Sequence, residues 1–116
     1  MATPLLAAEL PGRYFRLLEA GSAKVEAKLN AEPGATLKTL ESQPGWRHFP
    51  YAILAPAVLY SKHQDPKMRD LAIRIGDLLA TESEKGTYEP RGDSDWDDYM
   101  WLEAYRLLGD SLGNER

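Results

Sequence analysis

Two short segments of this sequence carry most of the side chains that could do chemistry. They read QPGWRHFPY and GTYEPRGDSDW, and a further aspartate follows the second segment. Aromatic faces beside carboxylates and arginines suit sugar rings, which present apolar C–H faces and polar edges, although the same aromatic faces would also stack on a peptide or a base. We assign no catalytic role, and we expect substrate-binding roles for Trp46, His48, Tyr51, Arg91 and Asp97.

Two of these residues have a structural interpretation beside the functional one. His48 is either an acid–base residue or a loop histidine that bonds to the backbone. Asp97 either closes a capping box with Ser94 or faces a cavity as a hydrogen-bonding group or general acid. Its neighbours Asp95 and Asp98 are expected to interact with the helix dipole in a first turn.

The sequence predicts neither a metal site nor a cofactor. His48 and His63 are its 2 histidines, they fall on opposite sides of a predicted helix, and the chain has no cysteine. A zinc site draws on several such ligands that lie close together. A phosphate-binding glycine loop, a dinucleotide motif and a nucleophile elbow are also missing from the sequence.

Length and charge narrow the classes of partner. The 116 residues suffice for one domain. The net charge of −4, with both signs interspersed, argues against a nucleic-acid partner, because a phosphate backbone needs a basic surface. The longest apolar run is about half a membrane span, so no membrane partner is expected. The N-terminal MATPLLAAELPG lacks the basic leading segment of a working signal peptide.

The elements that must position these side chains are helices, because apolar residues recur at helical spacing and no segment reads as a strand. Proline and glycine punctuate the chain, and they set the expected bounds. We predict helices at about 11–30, at about 50–62, from the N-cap Asp65 to Lys85, and from Ser94 through Leu108, with a brief helical turn within 35–42.

The apolar patterns also predict depth. The second helix is apolar all round and should be buried, with a kink or a late start at Pro56. The third helix has one wet face and belongs on the outside, and its Gly76 should mark a close helix contact. In the first helix Tyr14 is expected on the apolar stripe, and in the fourth Trp101 and Tyr105 are expected in the core.

Short links between these helices predict antiparallel hairpins. In such a stack the second and fourth helices run parallel, so their N-termini lie at the same end. The loops that precede them would then meet, and the aromatic and acidic residues of the two loops would form the mouth of a cleft. Such a cleft would explain why the fourth helix combines acidic side chains at its start with aromatic ones.

One long stretch resembles a known family. The run PYAILAPAVLYSKHQDPKMRDLAIRIGDLLATESEKG, followed by DSDWDDYMWLEAYRLL, resembles the N-terminal helices of bacterial α/α-toroid glycan-degrading proteins of the heparinase- and alginate-lyase-like kind. The resemblance covers roughly residues 46–113. It implies a partial α/α toroid, contact with a polysaccharide or oligosaccharide, and an exported location. A lyase would abstract a proton next to a uronate carboxylate, and a hydrolase would use paired carboxylates.

The resemblance also bears on domain organisation. Such enzymes are several times longer, and the closing letters LGNER read like the middle of a protein. We therefore expect residues 1–116 to be a single helical domain, an N-terminal fragment of a larger toroid that is not active alone. The alternative is a non-catalytic helical interaction module, a homo-oligomer that self-associates through apolar faces that a partial toroid leaves uncovered.

Overall fold

The computed structural model describes residues 3–40, 49–86 and 95–113. Within these residues the chain forms four α-helices and two short 3₁₀ helices, without any strand. This confirms the all-α class. The α-helices are α1 (Thr3–Ala31), α2 (Phe49–His63), α3 (Pro66–Glu84) and α4 (Asp95–Leu108), and the 3₁₀ helices are Leu37–Leu40 and Gly109–Leu112.

The ends of α3 are where local sequence signals are strongest, and they lie where the sequence predicts them. Asp65 Oδ1 accepts a hydrogen bond from the backbone N–H of Lys67 at 3.0 Å, as an N-cap should. Pro66 occupies the first turn, where a missing N–H costs nothing. After the helix ends, Gly86 adopts a φ of 73°, which glycine tolerates without a Cβ penalty.

Two helices extend further than their prolines suggest. α1 begins at Thr3 and runs through Pro11, and α2 begins at Phe49 and runs through Pro56. The predicted late start of α2 at Pro56 is therefore wrong, as is the predicted start of α1 near Pro11. Packing explains α2, because Pro56 is fully buried and tertiary contacts outweigh the one hydrogen bond that a proline removes.

α2 lies at the centre of the molecule, as its all-round apolar pattern predicts. It packs against α1, α3 and α4. Its side chains Ile53, Ala57 and Leu59 are buried in the hydrophobic core. A Cβ added to Gly76 of α3 would lie 3.4 Å from Ile53 Cδ1, so Gly76 does mark the close helix contact that the sequence predicts.

Helical spacing predicts an apolar stripe on α1 of Tyr14, Leu18, Val25 and Leu29. α1 does contact the rest of the fold along the C-terminal part of this stripe, since Leu29 is buried and Val25 packs against the core. Tyr14 is exposed, so its placement on the buried stripe is wrong. Among the α1 side chains from residue 12 onward, Ser22 and Leu29 are buried.

The ring of Phe15 meets the ring of His63 edge to face with centroids 4.9 Å apart. His63 lies in the last turn of α2, as expected for a dipole partner.

Side-chain hydrogen bonds tie distant elements together. Arg74 of α3 donates to the backbone oxygen of Leu29 at 3.1 Å and to Asn30 Oδ1 at 2.6 Å, which places a cation at the C-terminal end of α1. Ser111 Oγ donates to Tyr60 Oη at 3.0 Å, joining the second 3₁₀ helix to α2. These bonds fix α3 and the end of the chain around α2.

Candidate functional site

The predicted substrate-binding residues fall largely outside the described part of the chain. Trp46, His48 and Arg91 lie outside the described residues. Tyr51 and Asp97 each occupy the first turn of their helix, α2 and α4, but their side chains are not among those described. The cleft at the shared helix ends therefore stays a prediction, as do both interpretations of His48 and Asp97.

Among the described residues, an apolar groove runs between α3 and α4, with Ile53 of α2 among its lining side chains. Its volume is about 360 Å³. The α3 wall includes small residues at four-residue spacing, a repeat that puts them on one helix face: Ala72, Gly76 and Ala80. The larger residues Ile73, Asp77 and Leu79 complete this wall. The α4 wall is built from large side chains, which are Trp101, Leu102 and Tyr105.

The α4 wall continues into an exposed apolar stripe, which we define as Tyr99, Leu102 and Tyr105. Their exposed fractions are 60%, 68% and 58%. At about 100° per residue, Leu102 lies on the side of α4 opposite to Ala104, which is fully buried. The stripe therefore points away from the core, along the outer side of the helix.

The exposure of Tyr105 corrects the sequence-based placement of this side chain in the core. Tyr105 follows Ala104 directly, so it is rotated by about 100° from the centre of the buried arc. Trp101, which lies nearer the centre of that arc, is half-buried.

Sequence reasoning did not identify Leu102 as part of an exposed apolar surface. The available signal was the three-residue spacing of Tyr99, Leu102 and Tyr105, which puts all three on one side of a helix. This spacing does not stand out in the sequence, because large apolar residues occur on most sides of α4.

Trp101 has an unusual polar atom for a groove wall. Its Nε1 is buried and has no hydrogen-bond partner. A buried N–H without an acceptor costs about 1–3 kcal/mol, whereas a buried tryptophan N–H usually has a partner. Trp101 belongs to α4, the helix that also carries the exposed stripe.

One ion pair accompanies the stripe on α4. Arg106 donates from Nη2 to Glu103 Oε1 at 2.5 Å and from Nε to Glu103 Oε2 at 3.0 Å. The hydrogen bond from Arg106 lowers the pKa of Glu103, and the same bond raises the pKa of Arg106. Helical spacing predicts two possible ion pairs here, Glu103–Arg106 and Arg106–Asp110, and the structure forms the first of them.

The described part of the chain contains neither a metal-binding cluster nor a membrane-spanning helix. Its His, Asp and Glu side chains form no group of three that could hold a metal ion. None of its helices is long and apolar enough to cross a membrane.

Comparisons with protein-family models, with curated proteins and with solved structures found no match to this chain. The resemblance to α/α-toroid proteins accordingly stays a prediction from the sequence motifs.

Proposed function

We propose that this chain is a non-catalytic helical interaction module that self-associates through its α3–α4 face, which we define as the groove together with the exposed stripe. The observation that carries the proposal is that Leu102, 68% exposed, stands directly beside an apolar groove. Complete burial of a leucine contributes about 1.5–3 kcal/mol. Covering Leu102 would therefore contribute about 1–2 kcal/mol to an association.

The shape of this face favours a protein partner. The stripe is convex and follows the outer side of α4, while a small molecule needs a concave site that buries most of its surface. Helices pack by setting the side-chain ridges of one into the grooves of the other. The α3–α4 face offers a ridge and a groove side by side, so one surface can supply both parts of a contact between two copies.

Sedimentation velocity over a wide concentration range tests self-association. We expect the weight-average mass of the wild-type chain to rise with concentration, and Leu102→Asp to remain monomeric because it buries an unpaired charge. Leu17→Asp is the matched control, because Leu17 on α1 is 69% exposed. A wild-type chain that is monomeric throughout, or an equal loss of association in both variants, contradicts the proposal.

Glycan contact is the second proposal, and a specific observation favours it. Tyr99 and Tyr105 present exposed rings on the helix that also carries the Glu103–Arg106 pair, so aromatic faces and groups that bond hydroxyls occur together. The sequence resemblance extends this second proposal to an arrangement of antiparallel hairpins in a partial α/α toroid. Such a segment would contribute substrate contacts to a polysaccharide lyase or glycoside hydrolase.

Titration with uronate oligosaccharides, followed by nuclear magnetic resonance, tests this second proposal. We expect shifts in the signals of Trp46 and Tyr51, the predicted substrate-side aromatics. His48→Ala and Asp97→Ala should weaken the binding, whereas Leu17→Ala on α1 should leave it unchanged. Signals of Trp46, Tyr51, Tyr99 and Tyr105 that all stay unperturbed at saturating oligosaccharide would contradict a glycan ligand.

A further inference from the structure

α1 is attached to the rest of the fold through few buried side chains. From residue 12 onward its buried positions are Ser22 and Leu29, and Val25 packs against the core from a half-buried position. α2, by contrast, packs against three neighbouring helices. An element with few buried apolar contacts can open while the rest of a protein stays folded.

Several contacts that attach α1 involve exposed partners. The Phe15 ring meets the ring of His63, which is exposed. Glu26 Oε1 lies 3.9 Å from Nζ of the exposed Lys67, and a surface ion pair of this kind contributes little to stability. The strongest polar attachment is Arg74, whose two hydrogen bonds to the end of α1 are charge-assisted.

Ser22 opposes the docked position of α1. Its Oγ is buried without a hydrogen-bond partner when α1 is docked, and such a hydroxyl lowers the stability of the state that buries it. Water hydrates this oxygen as soon as α1 moves away from the core. The centre of the α1 contact therefore carries a group that favours the open state.

Residues 32–36 provide a hinge between α1 and the first 3₁₀ helix. Gly34 adopts a φ of 70° there, and Ala35 N–H donates to the backbone oxygen of Glu32 in a turn. Directly after this turn Leu37 is fully buried, and its N–H donates to Glu82 Oε1. The chain is thus anchored at Leu37 and turns just before it, where a few loop residues can absorb a change of direction.

From these contacts we infer that α1 is a strap, which opens from the rest of the fold by pivoting at residues 32–36 while α2, α3 and α4 remain packed. Opening uncovers the core surface that Val25 and Leu29 cover. The open state is rare, so equilibrium unfolding still follows one cooperative step. α1 lines no part of the α3–α4 groove, and the inference does not depend on the proposed self-association.

Native-state hydrogen exchange at low protein concentration tests the strap. We expect the amides of residues 22–28 to exchange on the order of tenfold faster than the slowest amides of α2, because a single helix is only marginally stable in water once it leaves the core. Low concentrations of urea should accelerate exchange more steeply in α2 than in α1, since complete unfolding exposes more surface. Equal rates and equal urea dependences in the two helices would overturn the inference.

Two variants separate opening of α1 from unfolding of the whole chain. Arg74→Ala removes a contact that is lost in both processes, so exchange should accelerate about tenfold in α1 and α2 alike. Ser111→Ala removes the bond to Tyr60, which survives opening of α1, so exchange should accelerate severalfold in α2 and stay unchanged in α1. An equal acceleration of both helices by Ser111→Ala would show that α1 leaves only when the whole chain unfolds.

Ser22→Ala tests the role of the buried hydroxyl in the same measurement. We expect exchange in α1 to slow about fivefold, because the docked state no longer buries an unpaired oxygen. Circular dichroism of each variant verifies its helical fold. Faster exchange in α1 of Ser22→Ala would contradict the proposed role of Ser22.

Discussion

Two polar atoms among the described side chains are buried without a hydrogen-bond partner, Ser22 Oγ and Trp101 Nε1. Their positions differ in consequence. Trp101 borders the α3–α4 face, where a second copy can change its surroundings. Ser22 is 1% exposed and lies on the face of α1 that packs onto the core, so nothing outside the chain reaches its hydroxyl.

We therefore predict that Ser22→Ala raises the free energy of unfolding by about 1 kcal/mol. The substitution removes an unpaired buried hydroxyl and introduces a better helix former, and it keeps the small volume. Urea unfolding measures the change, with Ser83→Ala on the exposed side of α3 as the control for helix propensity alone. A loss of stability specific to Ser22→Ala would show that the hydroxyl bonds to the preceding turn of α1.

At the scale of elements, the residues at helix ends and the apolar periodicity predict where helices occur and where they end. The N-cap Asp65, the first-turn Pro66 and the glycine Gly86 bound α3 where the structure has it. The four-helix pattern and the brief turn, found as Leu37–Leu40, follow from apolar periodicity in the same way. The close contact at Gly76 was predictable because a glycine inside a stable helix usually has a packing reason.

The departures arise where neighbouring elements decide the outcome. Periodicity marks an apolar arc, but it does not say how much of that arc a neighbour covers, so Tyr14 and Tyr105 were both expected inside and both are exposed. Pro56 is predicted to kink α2 or to delay its start, but α2 begins seven residues earlier, at Phe49, and Pro56 is fully buried within it. The groove was missed for the same reason, since its two walls come from different helices.

The candidate site shows a sharper division. The residues selected for their chemistry, including Trp46, His48 and Arg91, belong to segments outside the described residues, so the sequence argument for them stands untested. The α3–α4 face uses ordinary helix residues such as Leu102, whose type signals nothing until its exposure is known. Residue types with reactive groups indicate a reactive site from the sequence alone. An interaction surface is recognised only when the structure shows which apolar side chains are exposed.

At the scale of the whole molecule, bonds between distant segments make the described helices one structure around α2. Arg74 joins α3 to the end of α1, and Glu82 Oε1 accepts a bond from the backbone N–H of Leu37 at 3.3 Å. Ser111 joins the second 3₁₀ helix to Tyr60. A small domain connected in this way is expected to unfold in one cooperative step, so a contact that covers the α3–α4 face stabilises the entire chain.

Under the proposed self-association, mass action makes thermal stability depend on protein concentration, because association stabilises only the folded chain. Above the dissociation constant, each tenfold increase in concentration adds about 1.4 kcal/mol per dimer, or roughly half of that per chain, which corresponds to a rise in Tm of about 2–5 °C for a domain of this size. Calorimetry should show this rise for the wild-type chain and for Leu17→Asp, whereas Leu102→Asp should unfold at one temperature throughout. An identical concentration dependence in Leu102→Asp would place the association elsewhere on the molecule, since that variant loses the apolar centre of the stripe.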